Sequence, residues 1–274
     1  MRYFVPVQPP MLEYGVLHKH YRYNEYAPDE RLRDVVCCYW SSAAEPQQDC
    51  QWHRIVPDGC IDIIFDLDAR EIQGAFLSPL MMSYEVMPLQ EQMAFFGIRM
   101  YASQLRRLFG YAGATLIGDH IGLDGWLGQE ATVITEQVIT ASDLAERIQL
   151  VDTWLLHLLY QRDDPTSSLW HTVVQEIHDR RGNVSIRQLA TDTYYSERTL
   201  RRLFQQELGI SPKEWADIVR FQAVLRYWQM KPQLPLRELA TTFGYYDQAH
   251  LNLAFHRYYG LTPGQLRLRQ MGAD

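Results

Sequence analysis

At 274 residues with 47% hydrophobic content, the chain is long enough for two domains with ordinary cores and too long to depend on disulfide staples. Its formal charge of −7 argues at first against a nucleic-acid binder, but the charge is unevenly spread. From Thr166 onward 14 Lys+Arg stand against 10 Asp+Glu, a net of +4, while residues 1–165 hold 12 against 23, a net of −11.

The N-terminus, MRYFVPVQPPM, has no apolar core of signal-peptide length, and no apolar stretch approaches the ~20 residues that span a bilayer. A soluble, cytoplasmic chain with no membrane partner is expected. Residues 1–100 read mainly as strands and turns. Strands are expected over Asp34–Trp40, over Ile61–Asp68 after the turn Pro57-Asp58-Gly59, and over Met93–Met100. Asp58 suits an Asx-type turn with Gly59 better than it suits a base. The four cysteines, Cys37, Cys38, Cys50 and Cys60, form no Cys-x-x-Cys pair, so reduced thiols are expected. His18, His20, Cys50, His53 and Cys60 could make a metal-sensing set. The plainer alternative is surface histidines and a core cysteine, and no metal or cofactor is expected. Cys37-Cys38 could sense oxidants or simply alternate across a strand. Trp40, Trp52, Arg54 and Arg99 could line a pocket for an aromatic or anionic ligand, the arginines pairing with a carboxylate; structural packing is the alternative.

After Tyr101 the pattern turns helical. Between Ser142 and Gln161, Leu144, Ile148, Val151, Leu155 and Leu158 recur at spacings of four and three, a seam on one helix face. It could pair two protomers in a homodimer or pack the helix on its own β domain. Pro165-Thr-Ser-Ser168 has the composition of a boundary.

Past that boundary the chain repeats itself. Ile186-Arg187-Gln188-Leu189-Ala190 returns fifty residues later as Leu236-Arg237-Glu238-Leu239-Ala240, and Gly209, Ser211 and Pro212 return as Gly260, Thr262 and Pro263 after fifty-one. Two copies are too few for a solenoid and fit two helix-turn-helix units, at about 184–210 and 235–261. In the first, Ser185 caps a helix with Gln188 closing a capping box, Thr191 to Tyr195 forms the turn, and Ser196 caps a second helix ending near Gly209. Leu200, Leu203, Phe204 and Leu208 make that helix's inner stripe, and Arg198, Arg201, Arg202 and Gln205 its outer face. Arginine forks and a Gln amide suit base edges in a major groove, whereas a solvated basic face is the alternative. In the second copy Asp247 caps, Leu251, Ala254, Phe255 and Tyr258 pack inside, and Gln248, Ala249, Asn252 and His256 face out. Thr199 and Arg257 belong to the same outer surfaces. The unbroken helical pattern from Lys213 to Met230 would span ~27 Å, a spacer able to hold two helices about one DNA turn apart. Lys213 and Arg220 would contact phosphates.

The runs SERTLRRLFQQELGISP (Ser196–Pro212), RFQ (Arg220–Gln222) and GYYDQAHLNLAFHRYYGLTP (Gly244–Pro263) resemble the AraC/XylS family signature over about residues 170–270. The resemblance implies a seven-helix, two-unit DNA-binding domain whose second helices enter major grooves. By position it carries base contact to Arg198, Arg201, Arg202, Gln205, Gln248, Ala249, Asn252 and His256. Two departures stand out. Tyr194 occupies a place where glycine is common, so that turn is expected to differ slightly, and Leu253 and His256 replace basic residues, so the first unit is expected to dominate. The segments Pro57–Asp62, Gly97-Ile98-Arg99 and Leu144–Arg147 are similar to an N-terminal domain with no assigned ligand found on some AraC-type regulators.

The expected architecture is α+β: a β-rich N-terminal sensor domain with helices (1–165), then an all-α double helix-turn-helix domain (166–274). The expected function is a sequence-specific transcription regulator with double-stranded DNA as partner, RNA polymerase as a second, and a small-molecule effector at the N-terminal domain. Two rivals remain: an N-terminal domain that only dimerises or contacts partners, and an enzyme fused to a DNA-binding module. The cysteine spacings do not supply the zinc site such an enzyme would need, so no catalysis is expected.

Overall fold

A computed structural model describes residues 4–9, 21–45, 51–68, 74–89, 92–110, 113–116, 120–161 and 168–270. The N-terminal part is built on an antiparallel six-stranded sheet: β1 (Tyr21–Tyr26), β2 (Val36–Ala44), β4 (Cys60–Asp66), β5 (Ala75–Ser78), β7 (Met93–Tyr101) and β8 (Ile121–Gly122). Its strand order is β1-β2-β7-β4-β5-β8, and β3 (Gln51–Ile55) pairs with β6 (Glu85–Leu89) as a separate ribbon. The three expected strands are present as β2, β4 and β7; β1, β3, β5, β6 and β8 were not anticipated.

Period-two alternation sorts the sheet into two faces. Tyr39, Ile61, Ile63, Phe65, Leu77, Phe96, Ile98 and Met100 lie at 0–1% exposure against helices. These helices are α1 (Leu105–Phe109), α2 (Leu123–Leu127), α3 (Gln129–Thr140) and α4 (Leu144–Tyr160). The opposite face carries Tyr21, Tyr23, Trp40, Asp62, Phe76 and Arg99 toward the β3–β6 ribbon, and a cavity lies between them. Gly97 is required on this face. The Trp40 indole lies so close that a Cβ on Gly97 would come within 2.1 Å of Cε2.

The α4 helix starts where Asp143 accepts a hydrogen bond from the Glu146 amide. Its seam corrects the pairing expectation. Val151, Leu155 and Leu158 are buried in the domain's own core, and Leu144 and Ile148 pack partly against it. Burial within one protomer leaves none of the five as an exposed ridge, so any pairing of two protomers would need another surface.

Seven helices follow among the described residues: α5 (Ser168–Asp179), α6 (Ile186–Thr193), α7 (Glu197–Glu207), α8 (Pro212–Met230), α9 (Leu236–Thr242), α10 (Gln248–Tyr259) and α11 (Pro263–Gln270). The boundary expected at residue 165 lies outside the described residues. Trp170, Val173 and Ile177 of α5 join Leu200, Phe204 and Trp215 in one hydrophobic cluster continuous with the N-terminal core. The second unit forms its own cluster around Phe221, Trp228, Phe255 and Tyr259, which also takes in Val7 and Val56.

Candidate nucleic-acid interface and sheet cavity

Each unit is two helices joined by a turn that sequence chemistry sets. Ser185 accepts from the Gln188 amide at 3.0 Å and starts α6. The reciprocal half of the expected capping box does not form, because the Gln188 amide nitrogen donates forward to Asp192 at 2.7 Å. The helix also runs on through Thr193, so the turn is shorter than expected. Tyr194 ends it in the left-handed region at φ 60°, close to the φ 70° of Gly244 in the second copy. The expected difference in turn geometry is therefore absent; a side chain is forced into the conformation that glycine takes freely. Since Tyr194 is 95% exposed, Tyr194→Gly loses little burial. It should raise stability by up to about 1 kcal/mol, the left-handed penalty less glycine's own entropy cost. A urea midpoint that falls instead would refute this strain.

Ser196 accepts from the Thr199 amide at 3.1 Å and starts α7. Leu200 and Phe204 face the core, Leu203 is half-buried, and Arg198, Arg201, Arg202 and Gln205 are exposed together on the other side, with Thr199 half-buried beside them. Arg201 reaches back to Glu197 at 2.8 Å, an exposed pair of small energetic weight. Gln205 donates to the Gly209 carbonyl at 3.1 Å. Arg198 and Arg202 have no intramolecular partner among the described residues.

In the second unit Asp247 accepts from the His250 amide at 2.8 Å and starts α10. Leu251, Phe255 and Tyr258 are buried and Ala254 is half-buried. Gln248, Ala249, His256 and Arg257 are exposed, Asn252 is half-buried, and Leu253 is 69% exposed among them. The Arg257 guanidinium lies 5.2 Å from the Tyr258 ring centre. The faces differ in charge as the sequence indicated: three arginines on α7, one on α10.

The connector α8 has a complete capping box, with Glu214 amide to Ser211 Oγ at 3.2 Å and Ser211 amide to Glu214 Oε2 at 2.8 Å, and Pro212 opens the helix. These bonds hold the Glu214 carboxyl below its ordinary range. Its 19 residues span ~28 Å. Lys213 is exposed at its start, bonded to Asp217 at 2.7 Å. Arg220 corrects the phosphate expectation. It is buried, pairs with Asp217 at 2.5 Å and lies 4.5 Å from the Tyr245 ring centre, fastening α8 to the second unit.

The cavity on the sheet's second face has a volume of about 350 Å³. Arg99 closes it, its side chain 6% exposed and ringed by three carboxylates: Asp62 at 3.0 Å, Asp58 at 3.2 Å and Glu25 at 3.4 Å. Trp40 Nε1 donates to Asp62 at 3.0 Å. Burial pushes the Asp62 carboxyl up, and the adjacent guanidinium opposes it. Asp58 forms the expected Asx turn, accepting from the Cys60 amide at 2.9 Å with Gly59 at φ 75°.

Of the four expected pocket residues, Trp40 and Arg99 line this cavity. Trp52 does not; it is 58% exposed. Neither does Arg54, whose guanidinium lies 5.6 Å from the ring centres of both Tyr84 and Tyr259, where the N-terminal part meets α10. The Arg99 guanidinium, expected to pair with a ligand carboxylate, already contacts three of the protein's own carboxyl groups. Tyr21, Tyr23 and Asp62 were missed. The alternation of Tyr21-Arg-Tyr23 was the available signal.

The Asp58 turn is shared with the helical domain. Gln8 Nε2 donates to Asp58 Oδ2 at 2.7 Å and to the Val56 carbonyl at 3.0 Å. Gln222 of α8, 1% exposed, accepts from the Val7 amide and donates to the Pro57 carbonyl, both at 2.7 Å. Trp215, also on α8, packs against Gly59. Arg106 and Glu207 add an ion pair at 2.8 Å between α1 and α7.

No group of three His, Cys, Asp or Glu side chains among the described residues could hold a metal. His18, His20 and Cys50 of the expected set lie outside those residues, and His53 and Cys60 are buried. Burial pushes the Cys60 thiol up to about 12. The Cys38 thiol lies higher still, through its hydrogen bond with Cys37 and then burial, and Cys37 is raised as well. None offers the ready thiolate of an oxidant sensor. No helix among the described residues is long and apolar enough to cross a membrane.

Residues 189–269 match a helix-turn-helix domain family, HTH_18, a span that runs from within α6 through the connector and the second unit into α11. Residues 24–122 match a domain of unknown function, DUF6597, a span that runs from within β1 to β8 and includes α1. Among curated relatives, an uncharacterized transcriptional regulatory protein of Bacillus subtilis, YesN, is 28% identical over 112 residues, covering 39% of this chain and 30% of that protein. An uncharacterized HTH-type transcriptional regulator of Haemophilus influenzae is 35% identical over 82 residues, 30% of this chain and 27% of that protein. The chain thus spans less than a third of the length of either relative. Among solved structures, the C-terminal domain of AraT from Geobacillus stearothermophilus is 26% identical, covering 38% of this chain and 86% of that one at a TM-score of 0.35. ToxT from Vibrio cholerae is 9% identical, covering 93% of this chain and 100% of that one at 0.42.

Proposed function

We propose that this protein is a sequence-specific transcription regulator whose α7 and α10 enter two successive major grooves, under control of a signal received by the sheet cavity. The observation that carries the reading is the pair of helix-turn-helix units at the two ends of α8, each exposing one polar face of its second helix. A spacer of ~28 Å suits two sites roughly one turn of DNA, ~34 Å, apart. On α7 the arginines Arg198, Arg201 and Arg202 with Gln205 supply donors that match guanine and adenine edges; on α10 Gln248, Ala249, Asn252 and His256 make the weaker second contact. Lys213 and Arg257 supply charge toward phosphates.

Control by the cavity is supported by the shared turn. Asp58 touches Arg99 and Gln8, Pro57 touches Gln222, and Gly59 touches Trp215, so a shift of the cavity floor would press on the spacer that sets the distance between the two units. Differential contacts of a ligand with two positions of this turn would be the coupling energy. RNA polymerase is the further partner that such a regulator would engage at a promoter.

The test is a footprint of the full chain on a duplex selected by it from a random pool. Two protected segments about 10 base pairs apart on one face are expected, with log affinity falling linearly with log salt. A single short protected segment would overturn the two-groove reading.

A further inference from the structure

The sheet cavity has a charge sign that restricts what can enter it, and this inference rests on the reading of that cavity as the signal site. One guanidinium, Arg99, contacts three carboxyl groups, so even with burial pushing the Asp62 carboxyl up, the cluster that closes the cavity holds more acidic groups than cations. Glu85 on the ribbon adds a fourth carboxylate to the setting, and Arg99 is the only Arg or Lys in the described lining. His53 in the wall contributes no positive charge at neutral pH, since burial lowers it to about 4. An incoming anion would meet a guanidinium already screened by its own carboxylates. An incoming cation would meet unspent negative charge in a setting of reduced dielectric.

The rest of the wall suits the same occupant. Tyr21, Tyr23, Trp40, Phe76 and Phe95 bring five aromatic rings to one cavity, and ring faces attract organic cations. The Tyr23 and Trp40 rings stack at 6.2 Å between centres. One polar wall atom is also left over. His53, 8% exposed, lines the cavity, and its buried Nδ1 has no hydrogen-bond partner among the described residues. A buried polar group left unpaired is costly, and a ligand hydrogen bond would relieve it. The volume of about 350 Å³ falls within the ~300–1,000 Å³ of small-molecule sites.

We infer that the cavity takes a small organic ammonium ion with an apolar or aromatic body, held by the aromatic walls and by the carboxylate excess around Arg99, and that it rejects the isosteric carboxylate. The probes are 2-phenylethylammonium and benzyltrimethylammonium, set against 3-phenylpropanoate as the anionic isostere, each titrated into the full chain by calorimetry and by melting temperature.

Both ammonium ions should raise the melting temperature and bind at least about tenfold more tightly than the propanoate. Glu85→Gln, at an exposed ribbon position, should weaken ammonium binding about two- to fivefold without altering the unliganded melt. Trp52→Ala, outside the cavity, should leave binding unchanged. Propanoate binding as tightly as the ammonium ions would overturn the charge assignment while leaving a ligand cavity in place. No binding by any of the three at millimolar concentration would overturn the ammonium assignment and count against the sensor reading too. The DNA-binding reading stands or falls separately, on the footprint.

Discussion

Replacing Arg198 and Arg202 together with alanine is expected to cost about 2–6 kcal/mol of affinity for a selected duplex, roughly thirtyfold to twenty-thousandfold. These two guanidiniums stand exposed on α7 with no intramolecular partner among the described residues, so both are available to a base edge. Arg201 differs. Binding through it must first release Glu197, an exposed partner at 2.8 Å that costs little to give up. Arg201→Ala alone should therefore cost about 1–3 kcal/mol and relax base preference at one position. Asn252→Ala on α10 should cost less than either, because the surrounding face is nearly neutral and Leu253 stands exposed within it. Binding titrations of the three variants against the selected duplex and a single-base series check the order. Equal losses from α7 and α10 variants would show that the two units share the reading evenly.

The helical domain was legible because its signals are local. Ser185, Ser196 and Asp247 each cap the helix that their position announces, and the apolar stripe of α7 faces inward as its spacing requires. Arg220 was misread for a physical reason. The helix α8 packs against both units, so eleven of its nineteen residues are buried and it has no single solvent face on which a cation must lie. The strands β5 and β8 are short, with four and two residues, too few for alternation to register. Pro88 hid β6, because proline inside a run argues against a strand unless the strand is at an edge. The cavity's chemistry was illegible for another reason. Glu25, Asp58, Asp62 and Arg99 come from separate strands and a turn, and only the register that sets Asp62 opposite Arg99 brings them together. Arg54 sits on β3, yet its contact is with Tyr259 of α10, a distance in sequence that no local pattern carries.

Stability should fall steeply as pH drops from about 6.5 to about 4, a window set by two buried histidines. His53 lines the cavity, and His178 of α5 stacks on Phe4 at 4.7 Å and tilts against Trp215 at 6.0 Å. Burial lowers both to about 4 from 6.5. The sign follows from proton counting. Within the window the unfolded chain binds protons at both positions that the folded chain refuses, so unfolding takes up protons and acid drives it. Above pH 6.5 neither state is protonated there and the stability is fully present; below pH 4 both states are protonated and the loss is complete. At about 1.4 kcal/mol per pH unit, each histidine accounts for a loss on the order of 3 kcal/mol across the window. The carboxyls of Asp192 and Glu214 are held below their ordinary range and contribute their own loss at more acid pH, so they do not mimic this slope, while Asp62, pushed up by burial, opposes it equally in parent and variant. His178→Phe keeps an aromatic ring against Phe4 and removes the titrating group, including an Nε2 with no partner. Urea midpoints measured from pH 7.5 to 5 should fall no more than about half as steeply in this variant as in the parent, and the variant should be the more stable of the two at pH 5. A parent whose midpoint is flat over that range, or a variant with the parent's slope, would show that neither imidazole is held neutral by its surroundings.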